Sequence, residues 1–323
     1  MKTYVFLILA SLISLGQGQI ARLPVLHFAT IEEGREVLMS RDAFIQRLSP
    51  FDRAARMQTD QDVTEATFLA HIGEQVRAWT DAEAQRIQAA YTGMRPELQR
   101  LAIPFPEEVL MITTTGREEG GAAYTRANAI ILPAHELSAP PAALQKLIAH
   151  ELFHILSRNN PEWKTRLYRL IGFHPCKELV FPPSLAARKI TNPDAPLNGH
   201  CIQVTLRGKR TWAIPILHAQ AERYDPQRGG RFFDYLKYSL LEVQLVEGQP
   251  TYPEGAPRLV GVGQAKGFYD QVGRNTSYVI HPEEILADNF ALMIQVERNL
   301  KSPELVQKMR HLLSPLQGRF AED

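Results

Sequence analysis

His150 and His154 stand four residues apart with Glu151 beside the first, in the run His150-Glu151-Leu152-Phe153-His154. On a helix, residues at that spacing lie one turn apart on the same face. Both imidazoles can therefore reach one small cation. Glu151 would then point toward the position left open for the cation's remaining partner, which in water is a water molecule. A cation that lowers the pKa of that water, beside a carboxylate that removes its proton, makes a hydrolytic nucleophile.

The surrounding residues must build the helix. Leu144, Ile148, Leu152 and Ile155 recur at helical spacing, as the apolar stripe of a packed helix does. Pro140-Pro141 and Asn159-Asn160-Pro161 suit its two ends, so a helix is expected over 141–159. Two imidazoles and a carboxylate on so apolar a helix are costly to bury unless a cation takes the imidazole lone pairs.

Catalytic zinc takes three protein ligands and keeps a position for water. A third histidine in the pattern HExxHxxGxxH is excluded, because Ser157 and Asn160 stand at the matching positions. The later run from His281 to Ile294 offers carboxylates instead. Pro282 suits a first helical turn, and the early acids Glu283 and Glu284 suit its positive end. Glu284 and Asp288 are spaced to share a face, whereas Glu283 has Ala287 at that offset. Glu284 is thus the better candidate ligand. Asp288 would accept the second ring N–H of a ligating histidine and fix its tautomer.

In these two stretches, His150-Glu151-Leu152-Phe153-His154 and Glu284-Ile285-Leu286-Ala287-Asp288, the chain resembles the gluzincin group of zinc metallopeptidases. The resemblance covers two helices and a preceding strand. It implies His150, His154 and Glu284 as zinc ligands, Glu151 as general base and proton shuttle, and Asp288 as the partner of the first histidine. It also implies an α+β, zincin-like fold: a small sheet whose edge strand pairs with extended substrate, the HExxH helix, and the helix carrying the glutamate ligand. One departure is the separation of about 130 residues between His154 and Glu284. It is far larger than in the compact thermolysin-like members, so residues 161–280 are expected to form an insertion that analogy does not assign.

The first residues carry a second signal. Lys2 precedes the apolar run Tyr4 to Ala10, continued by Leu12, Ile13 and Leu15, and Gly16 and Gly18 flank Gln17. That is the pattern of a signal peptide; cleavage is expected after Gly18 and export to a secreted or periplasmic location. The run is too short for an ordinary membrane span, so no stable membrane insertion is expected after cleavage. Formal net charge is +1 with no long basic stretch, which argues against nucleic acid as a partner. Cys176 and Cys201 are the only two cysteines. In an exported chain such a pair is expected to form a disulfide; the rival reading is metal ligation, since each lies close to a histidine, His174 and His200.

Residues 19–105 read as a mainly helical N-terminal region, with one or two helices between Val63 and Tyr91. Residues 106–323 read as the catalytic domain. Val109–Thr115 is expected as a strand and Tyr124–Leu132 as a second, with Gly120-Gly121 as the turn between them. Within the insertion, a short helix over 161–171, a proline-marked loop region and strands near 201–206, 211–217 and 232–245 are expected. Asn275-Thr276-Ser277 fits a glycosylation acceptor. Candidates for stabilising an oxyanion are Tyr278, His281, Tyr269, His200 and His174. The expected activity is hydrolysis of peptide bonds in a peptide or protein substrate with Zn2+ as cofactor. The alternatives are a zinc amidase acting on a non-peptide amide and an inactive, zincin-like binding protein.

Overall fold

The computed structural model describes residues 22–314 except 103, 229 and 231. The expected signal segment, residues 1–18, lies outside the described residues. In chain order the elements are β1 (Val25–Phe28), α1 (Ile31–Leu38), α2 (Ala43–Arg47), α3 (Pro50–Arg56), α4 (Glu65–Glu74), β2 (Val76–Arg77), α5 (Asp81–Leu98) and β3 (Glu108–Thr114). Next come β4 (Tyr124–Arg126), β5 (Ala129–Pro133), α6 (Pro141–Asn159), α7 (Pro161–Leu170), β6 (Phe173–Pro175), α8 (Pro183–Ala186) and β7 (Lys189–Ile190). The chain continues through β8 (His200–Leu206), β9 (Lys209–Ala219), β10 (Leu236–Val246), β11 (Gln249–Thr251) and β12 (Arg258–Val260) to α9 (Phe268–Val272), α10 (Pro282–Ile294) and α11 (Pro303–Leu312). Among the described residues no helix is long and apolar enough to cross a membrane.

Two sheets organise this mixed α/β chain. The first runs β1-β3-β5-β4, with β2 also pairing β3. β1, β3 and β5 are parallel, while β4 folds back antiparallel onto β5 and forms the edge. Alternation along the strands builds two cores. Val109, Met111, Ile130 and Leu132 face α5, α6 and α10; Ile112 and Ile131 face Leu38, Phe44, Phe51 and Phe68 of the N-terminal helices. The second sheet, β11-β10-β9-β8-β6 with β7 and β12 attached, is antiparallel and comes wholly from the insertion. Its inner residues Ile202, Val204, Ala213 and Leu240 join the core around α6 and α10.

Three expectations change. The described residues of 19–105 contain two strands besides their helices, and β1 lies parallel to β3 inside the first sheet. Packing therefore runs across the boundary expected after residue 105. The single strand expected over Tyr124–Leu132 is a hairpin that reverses at Ala127-Asn128, where Ala127 takes the left-handed backbone at φ 46°. Few non-glycine residues adopt that region, and at Ala127-Asn128 no glycine or proline marks the turn. Where a bridge between Cys176 and Cys201 is expected, the structure holds two free thiols; the Cys201 thiol donates to the His174 carbonyl at 3.7 Å, and the neighbouring Cys176 and burial push Cys201 up.

Candidate functional site

α6 spans 141–159 as expected, and its apolar stripe explains why. Leu144, Ile148, Leu152 and Ile155 are all at most 1% exposed, fixing the helix rotation so that His150, Glu151 and His154 turn toward α10. That helix begins with Pro282 in its first turn, behind His281 as N-cap, whose ring Nδ1 accepts the Glu283 N–H at 3.1 Å. The cap and the apolar body of α10 (Ile285, Leu286, Phe290, all buried) set the register that presents Glu283, Glu284 and Asp288 to α6.

The two histidines are held alike at one nitrogen. His150 donates its Nδ1–H to Asp288 Oδ1 at 3.0 Å, and Asp288 in turn accepts the Thr276 hydroxyl. His154 donates its Nδ1–H to Glu283 Oε1 at 3.2 Å. Glu283 also takes the Ser157 hydroxyl at 2.8 Å, the Tyr168 hydroxyl, and Lys164 Nζ at 3.4 Å. Both Nε2 atoms then face the same Glu284 oxygen, at 3.1 Å from His150 and 3.7 Å from His154. The other Glu284 oxygen accepts from Asn192 Nδ2 at 2.6 Å.

An imidazole lone pair pointed at a carboxylate oxygen is unfavourable unless a positive charge sits between them. His154 Nε2 is buried without a hydrogen-bond partner, and so is Glu151 Oε2. Two orphaned buried polar atoms at one place require an explanation, and a missing ion is one. Tetrahedral zinc ligands at about 2.0–2.1 Å lie roughly 3.3 Å apart, and the two spacings to Glu284 bracket that value. His150, His154 and Glu284 thus fit the donor set of a zinc ion.

The electrostatics agree. Burial disfavours the charged form of His154, but the neighbouring Asp194 and Glu284 more than reverse this and raise it to about 9. Asp288 and Glu284 likewise overcome burial at His150. Burial, then the neighbouring charge of Asp194, raises Glu151 to about 8. Glu283 is held well below the usual carboxylate range, burial notwithstanding, by Lys164 and by the histidine's hydrogen bond.

A cavity of about 380 Å³ opens onto this cluster, lined by His150, Glu151 and Glu284 together with Ala123, Asp194 and Tyr278. Tyr278 is therefore the member of the oxyanion group that reaches the cavity. His281 is buried as the cap of α10, and burial lowers its pKa to about 3. His200 packs edge-on against Tyr168, His174 against Trp212, and Tyr269 against Phe268. Asn275, the glycosylation candidate, spends its side chain inside the structure: its amide donates to Asn289 and to the Ser302 carbonyl, each at 2.8 Å, and its oxygen accepts the Ser302 N–H.

Four contributors carry little signal in the sequence. Glu283 looked like a bystander because its face-mate is Ala287, yet it holds His154. Asn192 and Asp194 come from a proline-marked loop of the insertion, and Thr276 from the segment before α10. The Asx turn of Asn192, which accepts the Asp194 N–H at 2.9 Å, was the one local hint in Thr191-Asn192-Pro193-Asp194. Comparisons with known protein families, curated proteins and solved structures returned no match to this chain.

Proposed function

We propose that this chain is an exported zinc-dependent peptidase of gluzincin type, with His150, His154 and Glu284 as the metal ligands and Glu151 as general base. The observation that carries this reading is the closeness of His154, which holds an orphaned buried Nε2, to both Glu284 and Glu151, which holds an orphaned Oε2, beside a cavity that the two glutamates line. The N-terminal charged and apolar pattern supports export.

When bound, zinc supplies a Lewis acid that polarises a carbonyl and lowers the pKa of water. The chain's own groups do the rest. Asp288 and Glu283 fix both imidazoles with Nδ1 protonated, leaving each Nε2 lone pair for the metal. Glu151 takes the proton of the attacking water as oxygen bonds to the carbonyl carbon. It hands that proton to the leaving nitrogen as the C–N bond breaks. Tyr278, which lines the cavity, is the candidate donor to charge developing on the carbonyl oxygen.

The test is Glu151→Gln in full-length protein. Peptidase activity should fall by about 10²–10⁴-fold, the usual worth of a general base, with zinc content unchanged. Activity that survives the substitution would overturn Glu151 as base. Bound zinc with no cleavage of any peptide by wild type would overturn the peptidase reading.

A further inference from the structure

A peptide that adds a strand to the first sheet must use the outward N–H and C=O groups of β4. Along an antiparallel edge these alternate: Tyr124 and Arg126 turn theirs toward β5, and Thr125, like Ala123 before it, turns outward. Thr125 is already occupied. Its N–H donates to Asp194 Oδ1 at 2.7 Å, its hydroxyl to the same oxygen at 2.6 Å, and its carbonyl accepts from Arg158 at 3.4 Å. Added pairing therefore stops at Ala123, which lines the cavity.

The stop is firmly anchored. Thr191 donates its N–H to Asp52 at 3.0 Å and its hydroxyl to the Arg47 carbonyl at 2.9 Å. Its own carbonyl accepts from Arg56 at 3.0 Å. Arg56 is itself buried between Asp52 and Glu119. With Pro193 buried and Asn192 tied to Glu284, the loop is a fixed wall.

What the wall shows to a ligand is carboxyl oxygen. Asp194 lies within reach of Glu151 and His154, and Glu151, 3% exposed, turns an unpartnered oxygen into the same space. Lys146 and His150 are the cationic types among the described residues lining the cavity, against Glu136, Glu151, Asp194, Glu284 and Asp288. A peptide end bearing a carboxylate would be repelled there, and one bearing an ammonium would be paired.

We propose that this site takes the free amino end of a peptide, docking the α-ammonium on Asp194 so that the first peptide bond lies over Glu151. This rests on the peptidase reading and narrows it to removal of one amino-terminal residue per turnover. Water supplies OH to the new carboxylate and H to the shortened chain.

The test uses L-leucine hydroxamate and its N-acetyl derivative, titrated calorimetrically into zinc-loaded full-length protein whose zinc content is measured first. Wild type should bind the free-amine compound about 10- to 100-fold more tightly, the range of a charge-assisted hydrogen bond. Asp194→Asn, which keeps an acceptor for Thr125, should bring the ratio close to one. Equal binding by wild type, or an unchanged ratio in the variant, would overturn the proposal and leave the metal site standing. A chain that holds no zinc would overturn the peptidase reading, and this one with it. In a parallel assay a pentapeptide should lose its first residue and its N-acetyl form should persist; internal cleavage of the acetylated peptide would contradict the assignment.

Discussion

The two imidazoles of the candidate metal site are chemically the same and structurally unlike. His150 borders the cavity, and its partner Asp288 keeps 20% of its side chain in solvent and leans on one threonine. His154 is sealed, 1% exposed, and its partner Glu283 is as deeply buried and satisfied by Ser157, Tyr168 and Lys164. The contrast teaches a division of labour: the sealed side ties α6 to α10 and α7, while the open side faces the cavity.

The sharpest way to break this comparison is to neutralise each partner in turn. Glu283→Gln removes the charge that compensates Lys164 and steadies His154. Breaking such a buried pair costs about 3–5 kcal/mol, and loss of a metal-supporting carboxylate weakens binding by about 10–100-fold. Urea unfolding and zinc competition should place Glu283→Gln at the upper end of both ranges. Asp288→Asn should also weaken zinc, by about tenfold, with the smaller loss of stability, because Asp288 holds His150 and Thr276 where Glu283 holds His154, Ser157, Tyr168 and Lys164. Equal stability losses in the two variants would mean that the sealed and open sides do not differ.

A smaller effect concerns acid. His281 caps α10 on the sealed side as a neutral ring, and burial lowers its pKa to about 3. In the unfolded chain it titrates near 6.5, so below that pH the unfolded state binds a proton the folded state refuses. Stability should therefore fall as pH drops from about 6.5 toward 3, by about 2 kcal/mol at pH 5. His281→Asn keeps an N-cap acceptor and should flatten this fall in urea titrations at stepped pH; an unchanged slope would contradict the cap's protonation state.

The parts of the site legible in sequence are those written in periodicity. α6 and α10 announce themselves through apolar spacing and terminal prolines, and the i, i+4 offsets then place His150, His154, Glu284 and Asp288 on facing sides. What sequence hides is long-range. Asp194 reaches the cavity because Thr191 is bonded to α2 and α3, about 140 residues away, and no local pattern encodes that. Glu283 carries no such mark, because Ala287 stands at its i+4 offset, yet neighbouring positions on a helix can serve different histidines. β1 is too short to alternate visibly, and the Ala127 reversal lies inside a run that reads as continuous strand.

The central claim is that His150, His154 and Glu284 together hold one zinc ion. Elemental analysis of the purified full-length protein, wild type beside Glu284→Gln and Glu151→Gln, tests it most directly. One zinc per chain in wild type and in Glu151→Gln, with most of it lost in Glu284→Gln, is the predicted result. Full zinc occupancy in Glu284→Gln, or none in wild type after incubation with zinc, would contradict it.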